Sequence, residues 1–410
     1  MHIVSITLSG FRSFRNETIS DLSKGMNVLV GPNGVGKSNI ILGLEFLFTR
    51  KYSRLDSNQR VELICNLNSN GNHNNLEASV SVIIDNSDQS IPEQGQNFTF
   101  KRIISAKKDQ YFLNDRLIKF HEMMNLMEIG GFSPNSSFII PQNLIYEIGI
   151  ASPNKLLDII RNLSGANSFD KKKITEEINT KTNEIDSINN YLKSYSILNM
   201  ENISIEKKRK SIDIEEQSFI QKNSINKQPN EEFGNYKKIT DKITECIPKL
   251  LSVSKSTVNE KNNYIYNSVK TNFEKIFRKL INNQGRVEMR LLPSSQQLIS
   301  TVDDCVGIEI LANFSNSDKF TKMQSLSSGQ KTIISAALVF ALQQIDSTPF
   351  FVFDGIDANL DKTWRESLSK MIKQLSKEKQ IILSTFHPEL CEQADNLFGI
   401  FNTEGVMFNS

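Results

Sequence analysis

A glycine-rich segment that directly follows a short apolar run restricts the fold of this chain more than any other feature. The run Met26–Val30 has the composition of a buried strand, and Gly31–Ser38 fits the pattern GxxxxGK[ST]. The apolar stretch Ile40–Phe48 that follows predicts a helix. In such a strand–loop–helix unit, backbone N–H groups and the helix N-terminus surround phosphate oxygens. The segment therefore predicts a nucleotide-binding α/β domain.

Two residues of this loop and one distant acid have the chemistry of a nucleotide–metal site. Lys37 can reach the β- and γ-phosphates, and the Ser38 hydroxyl can ligate Mg²⁺. Much later in the chain, the apolar run Phe350–Phe353 ends in Asp354, as a Walker B strand does, and its carboxylate can hold Mg²⁺ through water. These features alone leave kinases, GTPases and many ATPases open.

A third motif, Leu326–Lys331 (LSSGQK), precedes the Walker B strand and opens a predicted helix. It resembles the LSGGQ signature of ABC-type ATPases, with Ser328 in place of the first glycine. The Ser327 hydroxyl, the small Gly329 and a helix N-terminus together make an anion site. In that class the signature faces the γ-phosphate bound by a second domain. The order P-loop, signature, Walker B therefore predicts ATP held between two heads.

Charge and cysteine content exclude several other classes of protein. The 48 basic and 46 acidic side chains leave a net charge of +2, which excludes a uniformly basic nucleic-acid binder but allows a local basic face. Cys65, Cys246, Cys305 and Cys391 form no CxxC pair, which argues against a zinc site or a disulfide framework. No apolar run approaches the roughly 18–20 residues of a membrane span, and the first residues do not resemble a signal peptide. We expect an intracellular soluble protein.

The middle of the chain predicts long helices, because neither glycine nor proline occurs between Gly165 and Pro229. Apolar residues recur there in two seams at helical or coiled-coil spacing, namely Ile174, Ile178, Ile185, Ile188, Leu192 and Tyr195, and then Tyr236, Ile239, Ile243, Ile247 and Leu250. Two antiparallel coiled-coil arms are the favoured interpretation, and a pair of surface helices is the alternative. We predict an N-terminal lobe at 1–170, a coiled-coil neck at 171–280 and a C-terminal lobe at 281–410.

Flanking segments complete an α/β fold. Apolar alternation and short apolar runs predict strands at Ile3–Leu8, Val287–Leu292 and Gly307–Asn313, and helical periodicity predicts helices at Thr332–Gln344 and Lys362–Ser376. The predicted fold class is thus an ABC-type P-loop ATPase head made of N- and C-terminal halves.

The arrangement resembles the structural maintenance of chromosomes (SMC) family, and several segments resemble the third SMC subunit of cohesin. These segments are Gly10–Ile19 (GFRSFRNETI), Ile83–Asp88 (IIDNSD), Ser105–Asn114 (SAKKDQYFLN), Met124–Ser133 (MNLMEIGGFS) and Ser384–Leu390 (STFHPEL). The resemblance implies a nuclear, chromosomal ATPase head that engages a second SMC head around ATP to control DNA entrapment and sister chromatid cohesion. It further implies a kleisin subunit bound at the neck helix near 171–195.

The same resemblance implies roles for individual residues. Nucleotide contacts are implied for Arg12, Ser13, Asn33, Gly34, Val35, Gly36, Lys37, Ser38, Asn39, Gln142, Ser327 and Gly329. Mg²⁺ contacts are implied for Ser38, Gln142 and Asp354, and catalytic roles for Lys37, Gln142 and Asp354. Asp357 and Asp361 would lie in a segment that faces the partner head. Lys107 and Lys108 would be the acetylated pair, although two adjacent lysines are usually ordinary solvated surface.

Four departures from the family pattern bear on activity. Gly355 stands where the family carries the glutamate that orients the hydrolytic water. Phe386 occupies the place of the switch histidine of many ABC ATPases, with His387 one residue later. Asp56 lies near the expected arginine loop, and residues 171–260 are far too few for the family's long arms and hinge.

Two alternatives therefore stay open beside the hydrolysing head. One is a nucleotide-gated binding module with little hydrolysis of its own, which Gly355 favours. The other is an SMC-like DNA-repair head, whose family carries a CxxC zinc hook that has no counterpart in this sequence.

Overall fold

The computed structural model describes residues 1–64, 77–92, 95–132, 138–164, 262–293, 305–315, 319–345, 347–401 and 407–409. The chain divides into two compact units, and the described residues all belong to the unit formed by Met1–Ser168 and Asn262–Ser410. Both ends of the chain thus build one body. The predicted coiled-coil seams and the neck segment near 171–195 lie outside the described residues.

A six-stranded sheet, mostly parallel, carries the nucleotide motifs. Its strand order is β15-β14-β3-β13-β12-β8, and β15 alone runs antiparallel to its neighbour. The strands are β3 (Met26–Val30), β8 (Ile139–Ile140), β12 (Phe350–Asp354), β13 (Gln380–Thr385), β14 (Asn396–Ile400) and β15 (Met407–Asn409). Apolar runs form its centre because parallel strands are buried on both faces. The C-terminal ends of β3, β12 and β13 bring the P-loop and Asp354 to one edge.

A second six-stranded sheet is antiparallel and belongs to the N-terminal half. Its order is β2-β1-β4-β5-β6-β7. The strands are β1 (His2–Phe11), β2 (Phe14–Ile19), β4 (Glu77–Asp85), β5 (Asn97–Ser105), β6 (Asp109–Leu113) and β7 (Arg116–Ile118). Burial alternates along β4 and most of β5, because successive side chains of a strand point to opposite faces.

A three-stranded sheet, ordered β11-β10-β9, belongs to the C-terminal half. It consists of β9 (Arg286–Pro293), β10 (Cys305–Asn313) and β11 (Thr321–Lys322). Helix α6, residues 262–280, precedes β9 and buries Val269, Phe273 and Phe277 completely. The Tyr266 hydroxyl of α6 donates to the Met289 carbonyl at 3.0 Å, and burial raises the pKa of this phenol to about 12.

The remaining helices cover the sheets. They are α1 (Lys37–Phe48), α2 (Ser57–Leu63), α3 (Phe120–Ile129), α4 (Gln142–Ile150), α5 (Pro153–Leu163), α7 (Ser328–Gln343), α8 (Lys362–Leu375) and α9 (Pro388–Cys391), with 3₁₀ turns at Arg50–Tyr52 and Met323–Ser325. Helix α1 lies between the two large sheets. Its Phe48 ring centroid is 6.1 Å from that of Phe100 on β5 and 6.1 Å from that of Phe350 on β12. The P-loop helix is thereby fixed by both sheets.

The predicted α/β class is confirmed, and the strand and helix predicted on either side of the P-loop are both present. Strand β3 has the predicted bounds, whereas β1 extends beyond Ile3–Leu8 in both directions. Helix α7 begins at Ser328, four residues before the predicted Thr332, because Ser327 caps it. Among the described residues, we find no helix with the length and hydropathy needed to cross a membrane.

Candidate nucleotide-binding site

The P-loop leads into α1 through a backbone turn that only glycine fits well. Gly36, at the N-cap of α1, has φ of 109°, and a Cβ there would lie 2.8 Å from the Ser13 hydroxyl and 3.1 Å from the Phe14 ring. No side chain caps this helix N-terminus. Its backbone N–H groups and the positive end of the helix dipole are therefore directed at an anion.

Lys37 is the buried cation of this loop. Its Nζ donates to the carbonyls of Gly31 at 2.6 Å and Pro32 at 2.8 Å, so the side chain folds back over the loop. Burial lowers the pKa of this ammonium, and the nearby carboxylates of Asp354 and Asp357 oppose the shift. An anionic phosphate in the loop would be a stronger acceptor than the two carbonyls that now hold the ammonium.

Asp354 ends β12 within hydrogen-bond distance of two hydroxyls. Its Oδ1 accepts from the Ser38 hydroxyl at 3.1 Å and from the Ser384 hydroxyl at 2.5 Å. Hydroxyl and carboxylate oxygens are the hard donors that Mg²⁺ prefers, and this metal usually takes its remaining ligands from water and phosphate. The residues present therefore fit an Mg²⁺–nucleotide complex.

Sequence reasoning missed Ser384. It lies at the end of β13, in parallel register with Asp354 of β12. Besides its bond to Asp354, its hydroxyl accepts from the Gly355 N–H at 3.1 Å. The signal in the sequence is a polar residue near the end of the apolar strand β13. It could have located Ser384 only if β12 and β13 were already known to be adjacent.

Gln142 and Gly355 face each other across the pocket. Gln142 is exposed as the first residue of α4, and Gly355 has φ of 56°. A Cβ at Gly355 would stand 3.5 Å from the Gln142 Cδ, at ordinary contact distance. A side chain at position 355 would thus point toward Gln142. The nearest group is the Gln142 amide, which is a poor proton acceptor.

An open pocket of about 350 Å³ connects these groups. It is lined by Asn33, Gly34, Gly36, Lys37, Ser38, Asn39, Gln142, Asp354, Gly355, Ala358, Ser384, Thr385 and Phe386. The predicted residues Arg12, Ser13 and Val35 do not line it. Ser13 lies beside it, where its hydroxyl accepts from the Asn39 side-chain amide at 2.9 Å.

The rings of Phe386 and His387 lie against each other, with centroids 3.9 Å apart, but they have different surroundings. Phe386 lines the pocket and is 52% exposed, whereas the His387 Nδ1 lies 2.7 Å from Oδ2 of the buried Asp357. The same carboxylate oxygen accepts from the Thr385 hydroxyl. The Asp357 side chain is therefore turned inward. Its hydrogen bond to His387 connects the segment after β12 to the segment after β13. His387 is not among the pocket-lining residues.

The signature motif is exposed and lies outside the pocket of its own chain. Ser327 caps α7, where its hydroxyl accepts from the Gln330 N–H at 3.3 Å and its own N–H donates to the Gln330 side chain at 3.1 Å. Ser327 and Ser328 are both exposed, and neither lines the pocket that contains Lys37. The structure thus separates Ser327 and Gly329 from the P-loop residues with which they were grouped.

Lys107 and Lys108 are exposed in the tight turn between β5 and β6. This turn is held by α2, because the Ala106 carbonyl accepts from the Ser57 hydroxyl at 2.8 Å and from Arg60 Nη2 at 2.9 Å. The two lysines are therefore presented on a fixed hairpin.

A buried arginine connects this hairpin to the P-loop helix. Arg102 is completely buried and forms two hydrogen bonds to the Asp109 carboxylate, at 2.9 and 2.7 Å. Its Nη1 donates to the Phe46 carbonyl of α1 at 2.6 Å, and its guanidinium lies 3.9 Å from the Phe46 ring centroid. The base of the lysine hairpin is thereby bound to the C-terminal turn of α1.

Comparison with known proteins agrees with this geometry. Residues 2–408 match the family described as the RecF/RecN/SMC N terminal domain. The chain belongs to this family. The match spans the P-loop, the signature and the Walker B strand, so the pocket is that of a nucleotide-binding SMC head.

Individual relatives support the resemblance to the third SMC subunit. The chain is 34% identical over 165 residues to structural maintenance of chromosomes protein 3 of Caenorhabditis elegans, covering 39% of this chain and 13% of the relative. It is 33% identical over 181 residues to the Saccharomyces cerevisiae protein of the same name, covering 42% and 14%. The chain thus spans about a seventh of the length of these relatives.

Solved structures support the fold. The Smc head domain with an extended coiled coil from Pyrococcus furiosus, bound to the C-terminal domain of ScpA, matches with a TM-score of 0.67 and 24% identity over 99% of this chain and 95% of that one. An SmcHead bound to the C-winged helix domain of ScpA matches with a TM-score of 0.63 and 22% identity over 99% and 96%. The predicted ABC-type head is confirmed.

Proposed function

We propose that this chain is the ATP-binding head of a cohesin-type SMC subunit and that it pairs with a second SMC head around ATP. The observation that carries the proposal is the exposed signature, which lies outside the pocket formed by the P-loop of the same chain. An anion site presented to solvent in this way can complete a nucleotide site carried by another molecule. Each head would then contribute half of each site.

Within this proposal, the P-loop amides and Lys37 bind the phosphates of ATP, and the Ser38 hydroxyl and Asp354 hold Mg²⁺. The metal supplies neutralisation of phosphate charge when it is bound. Gln142, at the start of α4, orients the attacking water. Ser384 keeps the Asp354 carboxylate turned toward Ser38 through its 2.5 Å hydrogen bond.

We further propose that hydrolysis at this site is slow. A positioned general base typically contributes about 10²–10⁴-fold to a rate, and Gly355 leaves the expected position empty. His387 is not a substitute for this base because it does not line the pocket. Gly355 thus favours the second candidate function, a nucleotide-gated module that binds ATP and pairs but hardly hydrolyses.

The proposed partners follow from the relatives. Similar heads were solved with parts of ScpA, which supports a kleisin as a partner of this chain. The relatives named for the maintenance of chromosomes support chromosomal DNA as the molecule on which the complex acts. The proposed role of the complex is to entrap this DNA in sister chromatid cohesion, and the proposed location is the nucleus. The exposed pair Lys107 and Lys108 is the proposed site of acetylation.

Head pairing is tested by placing a large cation in the signature. Ser327→Arg should prevent ATP-dependent association with the partner SMC head, because the new side chain would fill the space that the partner's nucleotide needs. Affinity for a fluorescent ATP analogue should stay at the parent value, since Ser327 does not line the pocket. Light scattering with and without Mg²⁺–ATP measures association.

A matched control adds the same charge elsewhere. Gln374 is exposed near the C-terminal end of α8, so Gln374→Arg should associate like the parent. Undiminished association of the Ser327 variant would overturn the proposed pairing mode.

A further inference from the structure

A row of three aromatic rings extends from α6 to the first turn of α8. The Phe277 and Phe314 ring centroids are 5.3 Å apart with planes at 78°, and those of Phe314 and Trp364 are 5.7 Å apart. Phe277 is completely buried in α6, and Phe314 follows β10. At the other end, the backbone N–H of Trp364 donates to the carboxylate of Asp361, the N-cap of α8, at 2.9 Å.

The signature glycine lies against the free end of this row. A Cβ on Gly329 would be 3.4 Å from Cζ3 of the Trp364 indole and 2.9 Å from the Asn359 carbonyl. The second distance is shorter than real Cβ contacts, so only glycine allows this approach of α7 to the loop after Walker B. Asn359 itself has φ of 64°, in the left-handed region. The Trp364 indole and the Asn359 carbonyl thus limit how close the first turn of α7, and with it the signature, can lie to the loop after β12.

We propose that Trp364 is a positioning residue for the signature motif. The indole supports Gly329, and through it places the Ser327 hydroxyl and the N-terminus of α7 where the nucleotide of a second head would meet them. Phe314 supports the indole in turn, and Phe277 anchors the row in α6. This inference rests on the proposed function, because the site that it serves is completed only by pairing.

The chemistry of the ring explains why an aromatic residue suits this role. An indole is large, rigid and restricted to two side-chain torsions, so it fixes a neighbour at low entropic cost. Removing it would leave a gap beside Gly329 into which the signature could relax. A misplacement of about 1 Å can lower a rate by about 10²-fold. Trp364 does not line the pocket of its own chain, so ATP binding there should be independent of it.

The composition of the chain offers a direct probe, because Trp364 is its only tryptophan. Protein labelled with 5-fluorotryptophan carries a single ¹⁹F nucleus at this position, and an unlabelled partner head contributes no signal. The resonance should shift when Mg²⁺–ATP and the partner head are both present. Mg²⁺–ATP alone, or the Ser327→Arg variant with partner and nucleotide, should leave it at the free position.

Two substitutions separate positioning from folding. Trp364→Ala should lower the steady-state kcat of the pair by about 10–100-fold, while the affinity of the isolated chain for a fluorescent ATP analogue stays unchanged. Trp364→Phe keeps a ring at the contact and should recover most of that kcat. Where Trp364→Ala fails to fold, Phe314→Leu removes only the supporting ring and should both move the ¹⁹F resonance and lower kcat by about tenfold.

The outcomes distinguish this inference from the proposed function. Parent kcat in folded Trp364→Ala or Phe314→Leu protein would overturn the positioning role. So would an unmoved ¹⁹F resonance in a pair that light scattering shows to have formed. Pairing that persists in Ser327→Arg would instead overturn the proposed function on which the role depends.

Discussion

At the residue scale, the proposed slow hydrolysis is attributed to Gly355. Gly355→Glu should raise turnover at this site by about 10²-fold, because it supplies a carboxylate opposite Gln142. A Cβ there meets Gln142 atoms no closer than 3.5 Å, so space is available. The φ of 56° is unfavourable for a side chain and will offset part of the gain. A multi-turnover ATPase assay measures the change, with a partner head inactivated at its own Walker B strand.

A matched control isolates the carboxylate from the backbone change. Gly355→Gln has the same side-chain length and the same unfavourable φ, but its amide accepts no proton. We expect it to stay at the parent rate. Equal gains for glutamate and glutamine would show that loop geometry limits turnover, and fast parent turnover with no gain from glutamate would refute the slow site.

At the scale of secondary-structure elements, an ion pair joins α8 to α9. Arg365 Nη2 and Nε donate to the two carboxylate oxygens of the buried Glu389 at 3.0 and 3.1 Å. These hydrogen bonds hold the pKa of Glu389 below its usual value. Because the folded pKa is lowered, the pair stabilises the fold above the unfolded pKa of about 4.3, and its contribution is lost as pH falls through the folded pKa.

Glu389→Gln should therefore lower the free energy of unfolding by about 1.5–3 kcal/mol at pH 7, and by progressively less below pH about 4. Urea unfolding at a series of pH values measures the difference between parent and variant. Glu366, exposed on the same helix, provides the control substitution Glu366→Gln, which should have little effect at any pH. A deficit that does not change with pH would contradict the assignment of the stabilisation to the charge of Glu389.

Under the proposed function, the hairpin with the exposed Lys107 and Lys108 would contact DNA. Changing both lysines to glutamine should weaken stimulation of ATPase turnover by DNA and reduce its salt dependence, because two cations near a phosphate backbone give a salt-sensitive attraction. The fold should be unaffected, since the turn is held by Arg60 and Ser57 through the Ala106 carbonyl. Turnover is measured with and without duplex DNA over a range of salt concentrations.

The control for net charge changes two lysines on a different element. Lys370 and Lys377, one on α8 and one just after it, are both exposed, and the double change to glutamine there should leave DNA stimulation intact. If both double variants lose stimulation equally, net charge rather than the hairpin is responsible.

Elements with a strong local pattern were predictable from the sequence. An apolar run that ends in the glycine-rich P-loop predicts β3, and an apolar run that ends in an acid predicts β12. The structure has both strands at the predicted positions. Contacts between distant segments were not predictable. The Ser384–Asp354 bond depends on the adjacency of β12 and β13, and the inward turn of Asp357 depends on His387, thirty positions away. The Trp364–Gly329 contact likewise requires a three-dimensional approach that no spacing in the chain reveals.

At the scale of the whole molecule, the proposed pairing assigns the motifs of this head to two different nucleotide sites. P-loop residues and Gly355 line the pocket of this chain, whereas the exposed Ser327 does not, so in the proposed pair the signature would serve the site of the partner. Such a pair would be asymmetric: the site of this chain lacks a carboxylate at position 355, and the site of the partner would be completed by a signature in which Ser328 replaces the first glycine. The slow site would hold its nucleotide and keep the heads together while the other site turns over.

This asymmetry predicts the number of ATP molecules that a pair hydrolyses quickly. After pairing with radiolabelled Mg²⁺–ATP and a chase of unlabelled nucleotide, rapid quenching should show about one labelled ADP formed per pair in a fast phase and a second in a phase about 10²-fold slower. In Gly355→Glu protein both should form in the fast phase, whereas Gly355→Gln should keep the parent pattern. A partner head inactivated at its Walker B strand should remove the fast phase and leave the slow one. Two fast equivalents from the parent pair would mean that this head hydrolyses ATP without a carboxylate at position 355.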